Sequence, residues 1–218
     1  MYLLTAATRN EMFSVCENVE NTEAFDCLVT GVGPVESAYA LTRYLCESGR
    51  EVAGVVNFGV AGAYQHSRLQ LLDLCLADKE ILGDTGICYE NSLDYFDDDC
   101  LSVQNEYVLK NPLTRQIEEI LAYKKYSFAM GVFITVCATS GSKERGLFLE
   151  ERWQALCENM EGAALARVCE GFGLPFAELR CISNMVEDRN TSGWRLPEAI
   201  SQCAGAVLQV IREFETYE

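Results

Sequence analysis

Short apolar runs alternate with amphipathic segments along almost the whole chain, a pattern typical of strands that are each followed by a helix. Strand-like apolar runs are found at residues 2–6, 25–30, 51–57, 69–82, 126–136 and 176–183. Apolar residues at helical spacing are found at residues 35–47, 113–123, 143–149 and 196–214. This alternation predicts an α/β fold. Because no repeat, linker or low-complexity segment interrupts it, we expect one domain over residues 1–218.

The stretch Glu158–Val168 joins a polar start to a helix built almost entirely of small apolar residues. Ala163, Ala164 and Ala166 are strong helix formers whose small side chains favour close packing. Such a helix is usually buried, and acidic side chains are seldom buried without a partner. Glu161, at its N-terminal end, therefore has two interpretations. It either caps the free N–H groups of the helix or faces a pocket and accepts hydrogen bonds from ligand hydroxyl groups.

Several polar or small residues stand where a predicted strand ends. In open α/β sheets, ligands bind outside the carboxyl ends of the strands, so these positions are candidates for one shared site. They are Glu11, Ala61-Gly62, Thr139-Ser140, Met160-Glu161 and Asn184. Glu11 is either an ordinary first-turn helix carboxylate or a base that points into the cleft.

Composition narrows the possible partners. The net charge of −16 argues against nucleic acid or an anionic membrane surface as a partner. No apolar run approaches the length of a membrane span, and the N-terminal residues do not resemble a signal peptide.

The number of cysteines, 11, is odd, no pair has C-x-x-C spacing, and His66 is the only histidine. We therefore expect reduced cysteines, a cytoplasmic location and no bound metal.

A dinucleotide cofactor is also poorly supported. Gly31 and Gly33 follow the second predicted strand and suggest a Gly-x-Gly loop, but Glu36 stands where the fingerprint requires a third glycine. We therefore expect no cofactor.

The residues at the strand ends suit cleavage of an N-glycosidic bond without a metal. Glu161 and Met160 can supply a carboxylate for vicinal sugar hydroxyls and an apolar surface for the sugar ring. Asn184 can read the edge of a planar base, because an amide both donates and accepts hydrogen bonds. Glu11 is the free carboxylate that could act as general base toward a water molecule.

Four segments carry a resemblance to a known family. They are Gly31-Val32-Gly33-Pro34, Asn57-Phe58-Gly59-Val60-Ala61-Gly62, Asn159-Met160-Glu161-Gly162-Ala163-Ala164 and Arg180-Cys181-Ile182-Ser183-Asn184. With them the chain resembles the purine nucleoside phosphorylase/nucleosidase superfamily along nearly its whole length. The resemblance implies a three-layer α/β/α sandwich with a central mixed sheet, a homo-oligomer (dimer or higher) and a purine nucleoside substrate.

Within that superfamily, the Asn-Met-Glu-Gly-Ala-Ala segment together with Ile182-Ser183-Asn184-Met185-Val186-Glu187 looks most like the futalosine hydrolases. These nucleosidases release hypoxanthine from futalosine, leaving dehypoxanthine futalosine, in a route to menaquinone. The resemblance therefore implies a hydrolase that acts on an N-glycosyl bond.

The resemblance also implies roles for individual residues. Glu11 matches the glutamate that activates water, Glu161 the glutamate that binds the ribose hydroxyls, and Met160 the methionine that packs on the sugar. Trp194 falls near an aromatic residue that closes over the pocket. The remaining positions implied to bind substrate are Val60, Ala61, Gly62, Thr139, Ser140 and Asn159.

Asn184 stands where adenine-specific nucleosidases of the superfamily carry an aspartate. An aspartate accepts hydrogen bonds from the exocyclic amino group of adenine but would face the lone pairs of a 6-oxopurine. An amide instead donates an N–H to that oxygen while its carbonyl accepts from N7–H. The substitution therefore predicts hypoxanthine or guanine as the base rather than adenine.

A phosphorylase, which uses phosphate in place of water, is also compatible with these motifs. It would need a cluster of cationic and hydroxyl donors, and Val60 stands where phosphorylases tend to place a serine. Arg9 and Arg43 keep this function open. A methylthioadenosine/S-adenosylhomocysteine nucleosidase and a non-catalytic nucleoside-binding protein are compatible as well. The binding protein is disfavoured because binding alone needs no base at Glu11.

Overall fold

The computed structural model describes residues 1–17, 24–89, 93–96 and 103–216. The strands in chain order are β1 (Tyr2–Ala6), β2 (Phe25–Val29), β3 (Gly54–Ala63), β4 (Leu74–Leu82), β5 (Gly86–Cys88), β6 (Leu93–Tyr95), β7 (Glu106–Val108), β8 (Phe128–Thr135), β9 (Cys157–Asn159) and β10 (Phe176–Met185). The helices are α1 (Arg9–Cys16), α2 (Pro34–Glu47), α3 (Pro112–Tyr123), α4 (Lys143–Trp153), α5 (Gly162–Phe172) and α6 (Leu196–Thr216).

The main sheet is mixed, as predicted. β3 is parallel to β1 and β10, and β1 is parallel to β2. β4 is antiparallel to β10 and parallel to β8, while β9 is parallel to β8 and antiparallel to the end of β3. These pairings close a ring through β3, β10, β4, β8 and β9, and β7 is added antiparallel to β4. β5 and β6 form a separate small antiparallel pair.

Helices cover both faces of the sheet, which confirms the predicted α/β/α sandwich. α1, α3 and α6 pack together on one face, where apolar residues such as Ile117 and Val207 are buried against the strands. α2 and α5 pack together on the other face, where Leu41 and Leu165 are fully buried. None of the helices within the described ranges combines the length and the apolar character needed to cross a bilayer.

β3 extends beyond its predicted end. We expected the strand to stop at Asn57, before the small residues that approach a ligand, but it continues to Ala63. The extension is held by β10 along its length and by β9 at Gly62 and Ala63. Its glycines leave room for functional side chains, because a Cβ atom at Gly59 would lie 2.9 Å from the Arg180 guanidinium and would also meet the Glu11 carboxylate.

Candidate active site

A cavity of about 210 Å³ lies where the carboxyl ends of the strands meet. The ends of β1, β3 and β10 adjoin because these strands are parallel, and the end of β9 lies beside the end of β3. The residues that the sequence predicted for the site all line this cavity: Glu11, Val60, Ala61, Gly62, Thr139, Ser140, Asn159, Met160, Glu161, Asn184 and Trp194.

The carboxylate of Glu11 is tied to the start of α1 and to β3. Thr8 is the N-cap of this helix, and its N–H and hydroxyl donate to Glu11 Oε2 at 3.0 and 2.6 Å. The N–H of Val60 donates to Glu11 Oε1 at 3.2 Å. The carboxylate is 5% exposed and lines the cavity. This side chain therefore completes a capping box, as the first interpretation requires, and also reaches the site, where its role as a base stays a prediction.

Glu161 occupies the N-cap position of α5, but its side chain makes no capping hydrogen bond to that helix. Its Oε1 instead accepts from the N–H of Gly33 at 3.1 Å, and its Oε2 accepts from Arg180 Nη2 at 3.2 Å. Gly33 has a φ of +93°, a conformation that favours glycine. Of the two interpretations, the structure supports the second, in which the buried carboxylate faces the cavity.

Arg180 donates to Glu161 and lies close enough to Glu11 for the two charges to interact, and it was not among the residues predicted for the site. Its Nη1 donates to the carbonyl of Val60 at 3.2 Å, and its side chain is 2% exposed. Burial alone would lower the pKa of Arg180, but Glu178, Glu161 and Glu11 together raise it above its usual range. Arg180 is therefore charged and fixed. A lone arginine in an apolar strand, two residues after a glutamate, was the signal available in the sequence.

Asn184 lies at an irregularity in β10, where the register against β3 shifts. Its Oδ1 accepts from the hydroxyl of Ser183 at 2.9 Å, and its Nδ2 donates to the carbonyl of Met185 at 3.3 Å. A Cβ atom at Gly62 would lie 3.0 Å from this Nδ2, so glycine makes room for the amide. An amide has two protons and two acceptor lone pairs, so one of each stays available for the edge of a base.

Glu158 fixes the loop that follows β8. Its Oε1 accepts from the N–H of Ser140 at 2.8 Å, and its Oε2 accepts from the hydroxyls of Ser140 at 2.7 Å and Tyr64 at 3.2 Å. Burial raises the pKa of Glu158, while these hydrogen bonds act in the opposite direction. Burial, followed by the nearby Glu158 charge, likewise raises the pKa of Tyr64 well above its usual range. The loop with the predicted substrate-binding residues Thr139 and Ser140 is therefore rigidly supported.

Asn159 lines the cavity, but its side-chain amide is used within the protein. Its Oδ1 accepts from the N–H groups of Glu161 and Gly162 at 2.9 and 2.8 Å, and its Nδ2 donates to Glu80. Asn159 thus caps α5 from the preceding strand, in place of Glu161. Asn159 is implied to bind substrate by the resemblance, and a ligand in the cavity would meet it through its backbone, because its amide is engaged.

The outer part of the cavity is formed by Trp194, which follows a short 3₁₀ turn at Thr191–Gly193. The guanidinium of Arg189 lies over the Trp194 ring, 5.3 Å from its centroid. Thr139 is exposed, and Met160 is half-buried beside Glu161. These side chains give the cavity an aromatic and apolar rim around its polar interior.

The site lacks the cationic cluster that would bind phosphate, as far as the described residues show. Its arginines are Arg189 on the rim and Arg180, which already donates to three acceptors. Arg9 is exposed and does not line the cavity. Arg43 lies on α2 and pairs with Glu47 at 3.4 Å, with both side chains exposed. In the same described ranges, no group of three or more His, Cys, Asp or Glu side chains is arranged to hold a metal ion.

Known proteins similar to this chain act on nucleosides. Futalosine hydrolase from Thermus thermophilus is 33% identical over 223 residues, covering 98% of this chain and 96% of that protein. Futalosine hydrolase from Streptomyces coelicolor is 28% identical, with 90% and 82% covered. The native structure of futalosine hydrolase from Helicobacter pylori strain 26695 has the same fold, with a TM-score of 0.83 at 21% identity and 97% of each chain covered.

The family model described as the phosphorylase superfamily matches residues 26–212. This match covers most of the chain, and the similarity to the Thermus thermophilus protein extends over nearly all of it. The chain therefore belongs to the phosphorylase superfamily, as its sequence motifs predicted.

Proposed function

We propose that the protein is a futalosine hydrolase, a nucleosidase that cleaves futalosine with water to hypoxanthine and dehypoxanthine futalosine in menaquinone biosynthesis. The observation that carries the proposal is the meeting of Glu11, Glu161 and Asn184 in one cavity. The similarity to the futalosine hydrolases of Thermus thermophilus and Streptomyces coelicolor supports the same substrate.

In this proposal Glu161 binds the ribose hydroxyl groups and Met160 packs against the sugar. The carboxylate of Glu161 is already oriented by Gly33 and Arg180, so it meets the hydroxyls without rearrangement. Arg180 is a positioning residue here, because its Nη2 donates to the Glu161 carboxylate and holds it in place.

Glu11 accepts a proton from the attacking water. The water oxygen forms a bond to C1′ of the ribose as the bond from C1′ to the purine nitrogen breaks, and the bonding electron pair leaves with the purine. The purine takes up a proton at N7 from solvent water and departs as neutral hypoxanthine. Glu11 then releases its proton to solvent, so that one water molecule is consumed in total. Thr8 and Val60 hold the Glu11 carboxylate in place for this step, which general base catalysis requires.

Asn184 selects the base. Its free N–H donates to O6 of hypoxanthine, and its carbonyl accepts from N7–H once that nitrogen is protonated. The fixed Ser183 hydroxyl and the space above Gly62 keep the amide in position for this contact. Adenine carries an amino group at the same position. Its N–H would face the N–H of the Asn184 amide, and no hydrogen bond would form between them.

Water is the proposed nucleophile rather than phosphate. Arg180 is occupied by protein acceptors, and neither Arg9 nor Arg43 lines the cavity. A phosphate dianion would therefore find Arg189 as its cation there among the described residues, beside the buried carboxylates of Glu11 and Glu161.

The test is to incubate the enzyme with futalosine, inosine and methylthioadenosine, each with and without phosphate, and to follow the free base by chromatography. We expect hypoxanthine from futalosine at a rate that phosphate does not change. Adenine from methylthioadenosine as the main product would point to an adenosine-type nucleosidase, and strict phosphate dependence to a phosphorylase. Binding of futalosine without release of base would indicate a non-catalytic nucleoside-binding protein.

We further propose that the protein acts as a single-domain homo-oligomer, a dimer or higher, in the cytoplasm. Val32 lines the cavity and is 54% exposed, and the neighbouring Val35 and Tyr39 on α2 are 79% and 61% exposed. An exposed apolar surface beside a ligand cavity is suited to a subunit contact. Light scattering on the purified protein tests this, and a monomeric mass at micromolar concentration would rule it out.

A further inference from the structure

Four carboxyl groups, of which those of Glu11 and Glu161 line the cavity, are buried near a single guanidinium in the described part of the chain. The exposed fractions are 5% for Glu11, 0% for Glu80, 4% for Glu161 and 0% for Glu178, and 2% for Arg180. If every acid were ionised, this cluster would carry a large uncompensated negative charge away from water. Buried charges persist only when they are paired, so at least one acid of the cluster is expected to retain a proton.

The two acids farthest from solvent face each other. Glu80 projects from β4 and Glu178 from β10, and both reach the start of α5. A Cβ atom at Gly162 would overlap both Glu80 Oε1 and Glu178 Oε2, which brings these two oxygens to the same side of that glycine. This position therefore requires glycine because a carboxyl pair occupies the space of a side chain.

The hydrogen bonds indicate where the proton lies. Glu178 Oε1 accepts from Asn57 Nδ2 at 3.1 Å and from Arg180 Nε and Nη2 at 2.8 and 2.7 Å. Glu178 Oε2 is the one oxygen of this carboxylate without a donor in the described structure. A hydroxyl proton on Glu80 Oε1 would supply that donor, while Glu80 Oε1 still accepts from Asn159 Nδ2 at 2.5 Å.

We propose that Glu80 and Glu178 share one proton and act as positioning residues, with the ionised Glu178 holding Arg180 against Glu161. Burial, and next the neighbouring Glu178, raise the pKa of Glu80 well above its usual range, which agrees with a proton retained there. The catalytic consequence rests on the function proposed above, whereas the shared proton does not.

The consequence follows from how Arg180 is held. Glu178 engages its Nε and Nη2, which fixes the plane of the guanidinium and directs Nη2 to Glu161 Oε2 at 3.2 Å. If Glu178 lost its charge, Arg180 would have Glu161 as its nearest ionised partner and would draw that carboxylate away from the ribose. Glu80 prevents this by giving Glu178 a hydrogen bond without adding a second negative charge.

The kinetic test compares variants of the pair. Glu80→Gln keeps an N–H donor for Glu178, and we expect its kcat to stay within about tenfold of the wild type, since only the hydrogen bond from Asn159 is lost. Glu80→Met has a side chain of similar shape but offers no hydrogen-bond donor to Glu178. Glu178→Gln removes the negative charge that pairs with Arg180. We expect kcat for futalosine to fall about 100-fold in both, because the ribose-binding carboxylate is misplaced.

The matched control is Glu150→Gln. Glu150 is also buried, at 6% exposed, but it accepts from the backbone N–H of His66 and does not line the cavity. Wild-type kcat is expected for this variant. A purely packing role for the pair would make Glu80→Gln and Glu80→Met equal in kcat, and that equality, in variants that fold, would overturn the positioning role.

The spectroscopic test needs no substrate. Infrared spectra at neutral pH should contain the C=O stretch of a protonated carboxylic acid that disappears in Glu80→Gln and persists in Glu150→Gln. If Glu80→Gln retains every such band, the hypothesis that Glu80 and Glu178 share a proton is wrong, whatever the kinetics show. If the wild type releases no base from any nucleoside, the proposed function fails while the infrared band still decides whether the pair shares a proton.

Discussion

At the scale of single residues, the sequence identified the acids at the strand ends but not the groups that orient them. Glu161 stood out because a carboxylate beside an apolar helix is unusual, and Glu11 stood out because it follows the end of a predicted strand. Arg180 and Glu178 lie in a strand whose other residues are mostly apolar, so their partners on other elements could not be inferred. The hydrogen bonds of the Asn159 amide could not be inferred from the sequence either, because its partners lie on β4, β8 and the start of α5.

The role of Glu11 is tested by Glu11→Gln. The amide keeps the shape of the side chain but is a poor proton acceptor, so we expect kcat to fall by about 10²- to 10⁴-fold while the Kd for futalosine stays within a few-fold. Stopped-time assays and calorimetric binding measure the two quantities. Glu144→Gln is the control, because Glu144 is also an acid in the first turn of a helix but lies outside the cavity. An unchanged kcat in Glu11→Gln would rule out this residue as the base.

Base selection is tested by Asn184→Asp. The carboxylate repels O6 of hypoxanthine and accepts from the amino group of adenine, so the ratio of kcat/KM for futalosine to that for its 6-amino analogue should fall about 10- to 100-fold. Asn105→Asp makes the same change of charge outside the cavity and should leave the ratio unchanged. If both variants keep the wild-type ratio, Asn184 does not read the edge of the base.

At the scale of elements, the hydrophobic periodicity located most helices and strands. The errors fall where contacts with neighbouring elements determine the local structure. The end of β3 was predicted at Asn57 because small residues with two glycines follow it, yet two neighbouring strands hold the chain extended to Ala63. β9 was missed because it has only 3 residues, Cys157–Asn159, and is defined by its partners rather than by its own pattern. α4 also continues to Trp153, beyond the predicted end at Leu149.

The start of α5 gives a prediction at this scale. Gly162→Ala would force a methyl group into the space of Glu80 and Glu178, so we expect the free energy of unfolding to fall by about 1–3 kcal/mol. Gly205→Ala is the matched control, since nothing lies within 4 Å of a Cβ atom there in α6. That change should raise the free energy of unfolding by about 0.5–1 kcal/mol. Denaturant titration measures both, and equal stabilities would be inconsistent with a carboxyl pair packed on Gly162.

At the scale of the whole molecule, the sandwich architecture could be predicted from the motifs, but the closed ring of strands could not. The ring depends on β4 pairing with β10 in one direction and with β8 in the other, across separations of many residues. Local patterns carry no information on such pairings. The acidic segment around residues 94–99 also stays without an assigned role, because residues 97–99 lie outside the described part of the chain.

The stability of the whole chain should depend on pH through its buried acids. Burial raises the pKa of Glu80 above its usual 4.5, so the unfolded chain releases this proton at lower pH than the folded one. The stabilising contribution is therefore complete below the unfolded pKa and is lost as pH rises. We expect the free energy of unfolding of the wild type to fall more steeply than that of Glu80→Gln as the pH rises above about 5. Denaturant titrations at several pH values measure the slopes, and parallel slopes would contradict the raised pKa.

The most direct test of the central claim is the release of hypoxanthine from futalosine in phosphate-free buffer, followed to completion. The account requires that two carboxylates and one amide in a shared cavity bring water to the sugar and hold a 6-oxopurine. We expect one equivalent of hypoxanthine per futalosine and a rate that added phosphate leaves unchanged. Intact futalosine after prolonged incubation with folded enzyme, or base released only when phosphate is added, would contradict it.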